Sequence, residues 1–150
     1  MRMQKISRSI ATLFFVGSSP LAPGTVASLL AVALYLLIKD NTFIYFFLTI
    51  FLLILGFWSA HLAEKGFPDK DPPQIVIDEF SSMLLVYFFI PFSPKFLIIG
   101  LILFRFFDIS KIPPLKKLEA LPAGFGIMLD DIAAAILTNL ILQVLRFVIV

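Results

Sequence analysis

The chain has 150 residues, of which 60% are hydrophobic and 18 are phenylalanine, and its mean hydropathy is +1.02. Ordinary globular chains are roughly 45–50% apolar, so the excess points to a membrane protein, a single domain over residues 1–150. The formal charge of +2 is small, no nucleic-acid partner is expected, and the absence of cysteine excludes a disulfide framework, a zinc–thiolate centre and a cysteine nucleophile.

In chain order, Arg2, Lys5 and Arg8 precede a short apolar run at 9–16, which reads as an interfacial or partly inserted helix rather than a cleavable signal, because "VGSSPLAPGT" follows as a turn region. In that turn Ser19 and Thr25 suit helix capping first and phosphate contact second. The run 25–38 would reach only about 21 Å as a helix. Residues 42–63 are long enough to span, since a crossing needs about 20 residues. His61, the one histidine, reads as a packing residue, and Trp58 as an interface anchor. The segment 81–92 is short unless its helix begins near Pro73, and 95–107 is its mate across "PFSP". Residues 132–150 can span alone. The expected fold is an all-α, polytopic membrane bundle with about four to five membrane-embedded helices, some of them short.

The charges fall on one side of that bundle. If residues 1–24, 64–80 and 105–131 share a face, it holds Arg2, Lys5, Arg8, Lys65, Lys70, Arg105, Lys111, Lys116 and Lys117. The other face holds only Lys39, Lys95 and Arg146, which makes the rich side cytoplasmic. All but one of the acidic residues collect there too, the exception being Asp40.

Three polar groups stand where apolar helices meet that interface: Asp78 and Glu79 in "DPPQIVIDEF", Asp108 in "FRFFDISKIPP", and Asp130 and Asp131 in "GIMLDDIAAAI". A single acidic pair could simply complement a helix dipole, an effect of about 0.3–1 kcal/mol. Three groups on one face would repel unless a cation held them, and ionisable groups at membrane depth are costly. Neighbours on a helix lie ~100° apart, so one carboxylate of each pair can face inward while the other caps or meets water. Mg²⁺ suits carboxylate oxygens and retains room for substrate phosphate. Gly124 and Gly126 offer backbone N–H groups at a helix start for an anion, and Arg105 and Lys111 can neutralise phosphate charge. The combination suggests a metal-dependent enzyme acting on a phosphorylated lipid at the bilayer.

Other phosphoryl chemistries lack their residues. Histidine-based lipid phosphatases need two histidines, "DKDPP" has neither the strand nor the following residues of an aspartyl-phosphate motif, and no P-loop or CDP-alcohol transferase motif is present.

The segments "SPLAPGT" (19–25), "IVIDEF" (75–80), "FRFFDISK" (104–111) and "GFGIMLDDIAAA" (124–135) resemble, in order and spacing, the phosphatidylglycerophosphatase A family across nearly the whole chain. The resemblance implies a multi-pass enzyme of the bacterial cytoplasmic membrane, with its site facing the cytoplasm. It also implies Mg²⁺-dependent hydrolysis of phosphatidylglycerol phosphate to phosphatidylglycerol and inorganic phosphate. The chain departs from the family pattern at Ser82 (usually Gly), in "KIPP" (usually Lys-Pro-x-Pro), at Ala123 before Gly124 (usually Gly-Gly), and in "IAAAI" after the Asp pair.

On this reading Asp78, Glu79, Asp108, Asp130 and Asp131 are the catalytic and Mg²⁺-binding set. Ser19, Thr25, Arg105, Lys111, Gly124 and Gly126 contact substrate. Self-association into a homo-oligomer is compatible with short helices. The competing readings are a non-enzymatic cation-binding or transport protein, which would set its charges near the midplane, and a phosphatase for another lipid phosphate.

Overall fold

The computed structural model describes residues 2–68, 72–119, 121 and 124–149; Lys70, Asp69, Asp71 and Ala123 of the sequence reading lie outside them. The elements are α1 (Arg2–Ala11), a 3₁₀ turn (Val16–Ser18), α2 (Pro23–Ile38), α3 (Thr42–Glu64), α4 (Ile77–Leu85), α5 (Pro94–Ser110), α6 (Pro113–Glu119) and α7 (Phe125–Ile149). No strand occurs among the described residues.

Local chemistry sets most boundaries. Pro23 and Pro94 open α2 and α5 at the first-turn position, where a missing N–H costs nothing. Asn41 caps α3, its side-chain oxygen accepting the Ile44 N–H at 3.1 Å. Neither Ser19 nor Thr25 caps α2, whose N-cap is Ala22 in the left-handed region at φ 41°. The helix expected at 9–16 ends at Ala11 instead, because Leu13, Phe14 and Phe15 all take positive φ. The main-chain N–H of Val76 then donates to the Ala11 carbonyl at 2.9 Å, so the end of α1 fixes the entry to α4.

α4 is the hub, packed against α2, α3 and α7. It buries residues on every side, including Asp78, Ser81 and Ser82. Small residues let its neighbours approach: a Cβ on Gly56 would lie 2.7 Å from Met128 Cε and 3.4 Å from Ser81 Oγ. α3 is apolar outside and smaller or more polar inside. α3 buries Tyr45, Thr49, Gly56, Ser59, Ala60 and Ala63, while Phe43, Phe47, Phe51 and Ile54 are exposed. On α5 the exposed stripe is Ile98, Ile102, Phe106, and on α7 it is Ile136, Leu140, Val144. Apolar stripes at four-residue spacing facing outward are what lipid contact requires.

Among the described residues two helices, α3 and α7 over Phe125–Val148, are long and apolar enough to cross a membrane. This is fewer than the four to five embedded helices expected from sequence. α2 has 16 residues and α5 has 17, about 24 Å and 26 Å of helix against a hydrocarbon core of about 30 Å. α4 starts at Ile77 rather than near Pro73 and stops after 9 residues, followed by a turn in which Phe89 takes φ 59°.

Candidate active site

A cleft of about 210 Å³ lies between the first turn of α4, the last turns of α5 and the second turn of α7. Asp78, Glu79, Arg105, Asp108, Lys111, Asp130 and Asp131 all line it, with Pro73, Ile75 and Ile109 as its apolar wall.

Each element presents its charges for a local reason. Asp78 and Glu79 fall in the first turn of α4, where the helix dipole favours negative charge. Asp108 lies near the C-terminal end of α5, where the dipole opposes it, and Arg105 one turn earlier compensates by pairing with its Oδ2. The same Arg105 Nη1 stands 3.6 Å from Glu79 Oε1, so one guanidinium ties α5 to α4. α5 ends at Lys111 in the left-handed conformation (φ 39°, ψ 56°), its N–H bonded to the Phe107 carbonyl at 3.0 Å. That turn brings Lys111 Nζ to 3.4 Å from Asp130 Oδ2.

Asp130 and Asp131 are not at the start of their helix. α7 begins at Phe125, so the pair occupies its second turn, beyond the reach of simple N-capping. The two side chains diverge as adjacent helical positions must. Asp130 faces Lys111 and also accepts the Asp131 N–H at 3.0 Å, while Asp131 points inward at 2% exposure. One carboxylate oxygen from each of Asp78, Glu79 and Asp131 lies within 4.8 Å of the others. Glu79 Oε2 and Asp131 Oδ2 are buried without a hydrogen-bond partner. Buried acceptors left this way cost about 1–3 kcal/mol each, more when charged. Burial pushes the Glu79 carboxyl above its ordinary range; a hydrogen bond with Asp78 and the Arg105 charge oppose that, and the Asp108 charge adds to it. Five carboxylates thus face two cations in a small cleft, a donor set of hard oxygens that fits a divalent cation.

The structure also locates a residue that the sequence did not single out. A Cβ on Gly24 would lie 2.0 Å from Glu79 Oε1 and 3.0 Å from Arg105 Nη1, so the N-terminal turn of α2 presses directly on the cleft. The "PGT" turn was visible in the sequence, but the close approach depends on a helix far along the chain.

Four other sequence candidates lie outside the cleft lining. Ser19 donates to the Leu21 carbonyl at 3.2 Å and accepts its N–H at 3.4 Å, closing a local turn. It lines a neighbouring hollow with Arg8, Pro23, Pro73 and Gln74. Thr25 sits in the first turn of α2, its N–H bonded to the Ala22 carbonyl at 2.9 Å. Gly124 has φ +71°, and a Cβ there would meet the His61 backbone at 2.6 Å, so it serves the packing of α7 on α3. Gly126 is buried in the first turn of α7.

The sequence profile of one family, described as Phosphatidylglycerophosphatase A, matches residues 9–146. A Haemophilus influenzae protein named phosphatidylglycerophosphatase A is 36% identical, over 84% of this chain and 80% of its own length. An Escherichia coli protein of the same name is 30% identical, over 86% of this chain and 77% of its own. A Bacteroides thetaiotaomicron protein named "Putative phosphatidylinositol-3-phosphatase" is 32% identical over 93% of both chains. No solved structure matches significantly.

Proposed function

This chain belongs to the phosphatidylglycerophosphatase A family, and on that premise we propose that its cleft hydrolyses the terminal phosphomonoester of phosphatidylglycerol phosphate. The observation that carries this reading is the convergence of Asp78, Glu79 and Asp131 within 4.8 Å beside Arg105 and Lys111. The three carboxylates are suited to hold Mg²⁺, which when bound would polarise a phosphoryl oxygen and lower the pKa of water.

The remaining groups work on the phosphate and the proton. Lys111 and Arg105 supply charge-assisted hydrogen bonds to the phosphate oxygens, which gain negative charge as water attacks. Asp108 holds the Arg105 guanidinium, and Asp130 holds the Lys111 ammonium. A carboxylate of the cluster accepts a proton from the attacking water. The water oxygen bonds to phosphorus, the ester P–O bond breaks, and the glycerol oxygen leaves as the alcohol, taking the proton that the carboxylate received from the water. Gly24 keeps Glu79 and Arg105 in register by leaving room for both.

The bundle suits a lipid substrate. α3 and α7 are long and apolar enough to cross the bilayer, and on this reading the shorter α2 and α5 complete a set of four embedded helices with the cleft at one end. The lysines and arginines concentrated at that end orient it toward the cytoplasm of a bacterial inner membrane. Acidic groups confined to one end favour an enzyme over a transporter, which would place them near the midplane.

A second substrate reading has a specific basis in the name of the Bacteroides relative. Phosphate release by purified protein in detergent, with phosphatidylglycerol phosphate and phosphatidylinositol 3-phosphate supplied separately, decides between them. Preferential turnover of phosphatidylglycerol phosphate supports the proposal; preferential turnover of the inositide transfers the same chemistry to the other substrate.

A further inference from the structure

The opposite end of the bundle holds a second cavity, of about 380 Å³, where the α2–α3 turn meets the turn following α4. Tyr35, Tyr45, Tyr87 and Phe92 form its walls, and Lys39 and Asp40 stand at the α2–α3 turn. The rings are held in place. Tyr35 stacks on Tyr87 at 4.6 Å and meets Tyr45 edge-on at 5.4 Å. The hydroxyls of Tyr45 and Tyr87 donate to the main-chain oxygens of Leu84 and Leu97. Tyr35 itself is 4% exposed and lines the cavity. Lys39 follows one helical turn later, with Nζ 2.8 Å from Asp40 Oδ1 and 4.7 Å from the centre of the Phe92 ring.

We propose that this cavity is a binding site for one zwitterionic phospholipid, with the headgroup phosphate on Lys39 and the Tyr35 hydroxyl and the ammonium on Asp40 and the ring faces. The paired charges decide the class of ligand. Lys39 and Asp40 neutralise each other, so a purely anionic headgroup that drew Lys39 away would leave Asp40 without its cation, and a simple cation on Asp40 would leave Lys39 without its anion. A headgroup carrying both signs satisfies both, and ammonium groups favour the faces of aromatic rings. Leu37, Phe43 and Phe89, all strongly exposed around this end, offer an apolar surface to the acyl chains. The site belongs to the leaflet opposite the carboxylate cleft, and the inference does not rest on the phosphatase reading.

Native mass spectrometry of the full chain, released from detergent containing equal amounts of phosphatidylethanolamine and phosphatidylglycerol with matched acyl chains, tests it. One phosphatidylethanolamine should be retained per chain, preferred about tenfold. Asp40→Asn should abolish that preference while retaining lipid, and Lys39→Ala should lose both lipids, with thermal midpoints near that of the parent showing that the variants are folded. Equal retention of the two lipids by the parent chain, a preference for phosphatidylglycerol, or a preference unchanged in Asp40→Asn would overturn the proposal. If Lys39→Ala fails to fold, Tyr35→Phe replaces it, with weakened retention expected and unchanged retention counting against.

Discussion

Gly24 has no side chain, and that is its contribution to the cleft. Gly24→Ala places a methyl group 2.0 Å from the present Glu79 Oε1, so the Glu79 carboxylate must shift from its present place in the cluster. Steady-state phosphate release should fall about 10- to 100-fold, the range expected when a positioning contact is lost, with the circular dichroism spectrum retained. Ser82 poses the opposite case. Its hydroxyl is buried with no partner, at a position where the family resemblance leads one to expect glycine. Ser82→Ala should therefore raise stability by about 1 kcal/mol, seen as a higher thermal midpoint, with activity unchanged. These two positions mark the limit of what single residues disclose in advance. Carboxylates stand out in an apolar chain because each is expensive there, so Asp78, Glu79, Asp108, Asp130 and Asp131 could be gathered from sequence alone. A glycine that must be small, or a serine that finds no partner, becomes visible only when the neighbouring helix is in place.

At the level of elements, the ends of helices build the cleft, and α5 shows how. Its last residues bring Arg105 and Asp108 to α4, and the left-handed turn at Lys111 carries the ammonium across to α7. A lysine in that conformation costs roughly 1–2 kcal/mol, which glycine does not incur. Lys111→Gly relieves that cost but also removes the ion pair to Asp130, so the two effects on the thermal midpoint oppose one another and it should change little while phosphate release drops, a separation of stability from activity that loss of packing would not produce. α7 shows where sequence patterning misled. The apolar run suggested a helix from residue 132, but α7 starts at Phe125 and the aspartates sit inside it. The helix extends back because Gly124, at φ +71°, lets its entry close on the His61 backbone. Likewise, the span of residues 42–63 could be read directly, whereas the early end of α4, where the chain turns and Phe89 takes φ 59°, carries no simple signature. Ser19 and Thr25 were reasonable cap residues by type, yet the chain enters α2 through a left-handed Ala22 and leaves them outside the cleft.

Across the whole molecule, the bundle separates two environments: an outer surface of exposed apolar stripes and a charged cleft confined to one end. If the cleft holds Mg²⁺ as proposed, the cation becomes part of the stability of the protein. Glu79 lies on α4, outside the two helices long and apolar enough to span a membrane, and its folded carboxyl holds its proton above the ordinary Glu range. Its contribution to stability is therefore full below the unfolded value of about 4.3 and is lost as pH rises through the raised folded value. In EDTA the thermal midpoint should fall as pH rises over this interval. Added magnesium should offset the loss, so that the stabilisation by metal grows with pH. The most direct test of the account is phosphate release from phosphatidylglycerol phosphate by the parent chain and by Asp131→Asn, each measured with magnesium and with EDTA. The account predicts release that requires magnesium and falls at least about 100-fold in Asp131→Asn, together with loss of the magnesium-induced rise in thermal midpoint. Release that persists in EDTA, or an Asp131→Asn protein with undiminished turnover, would contradict it.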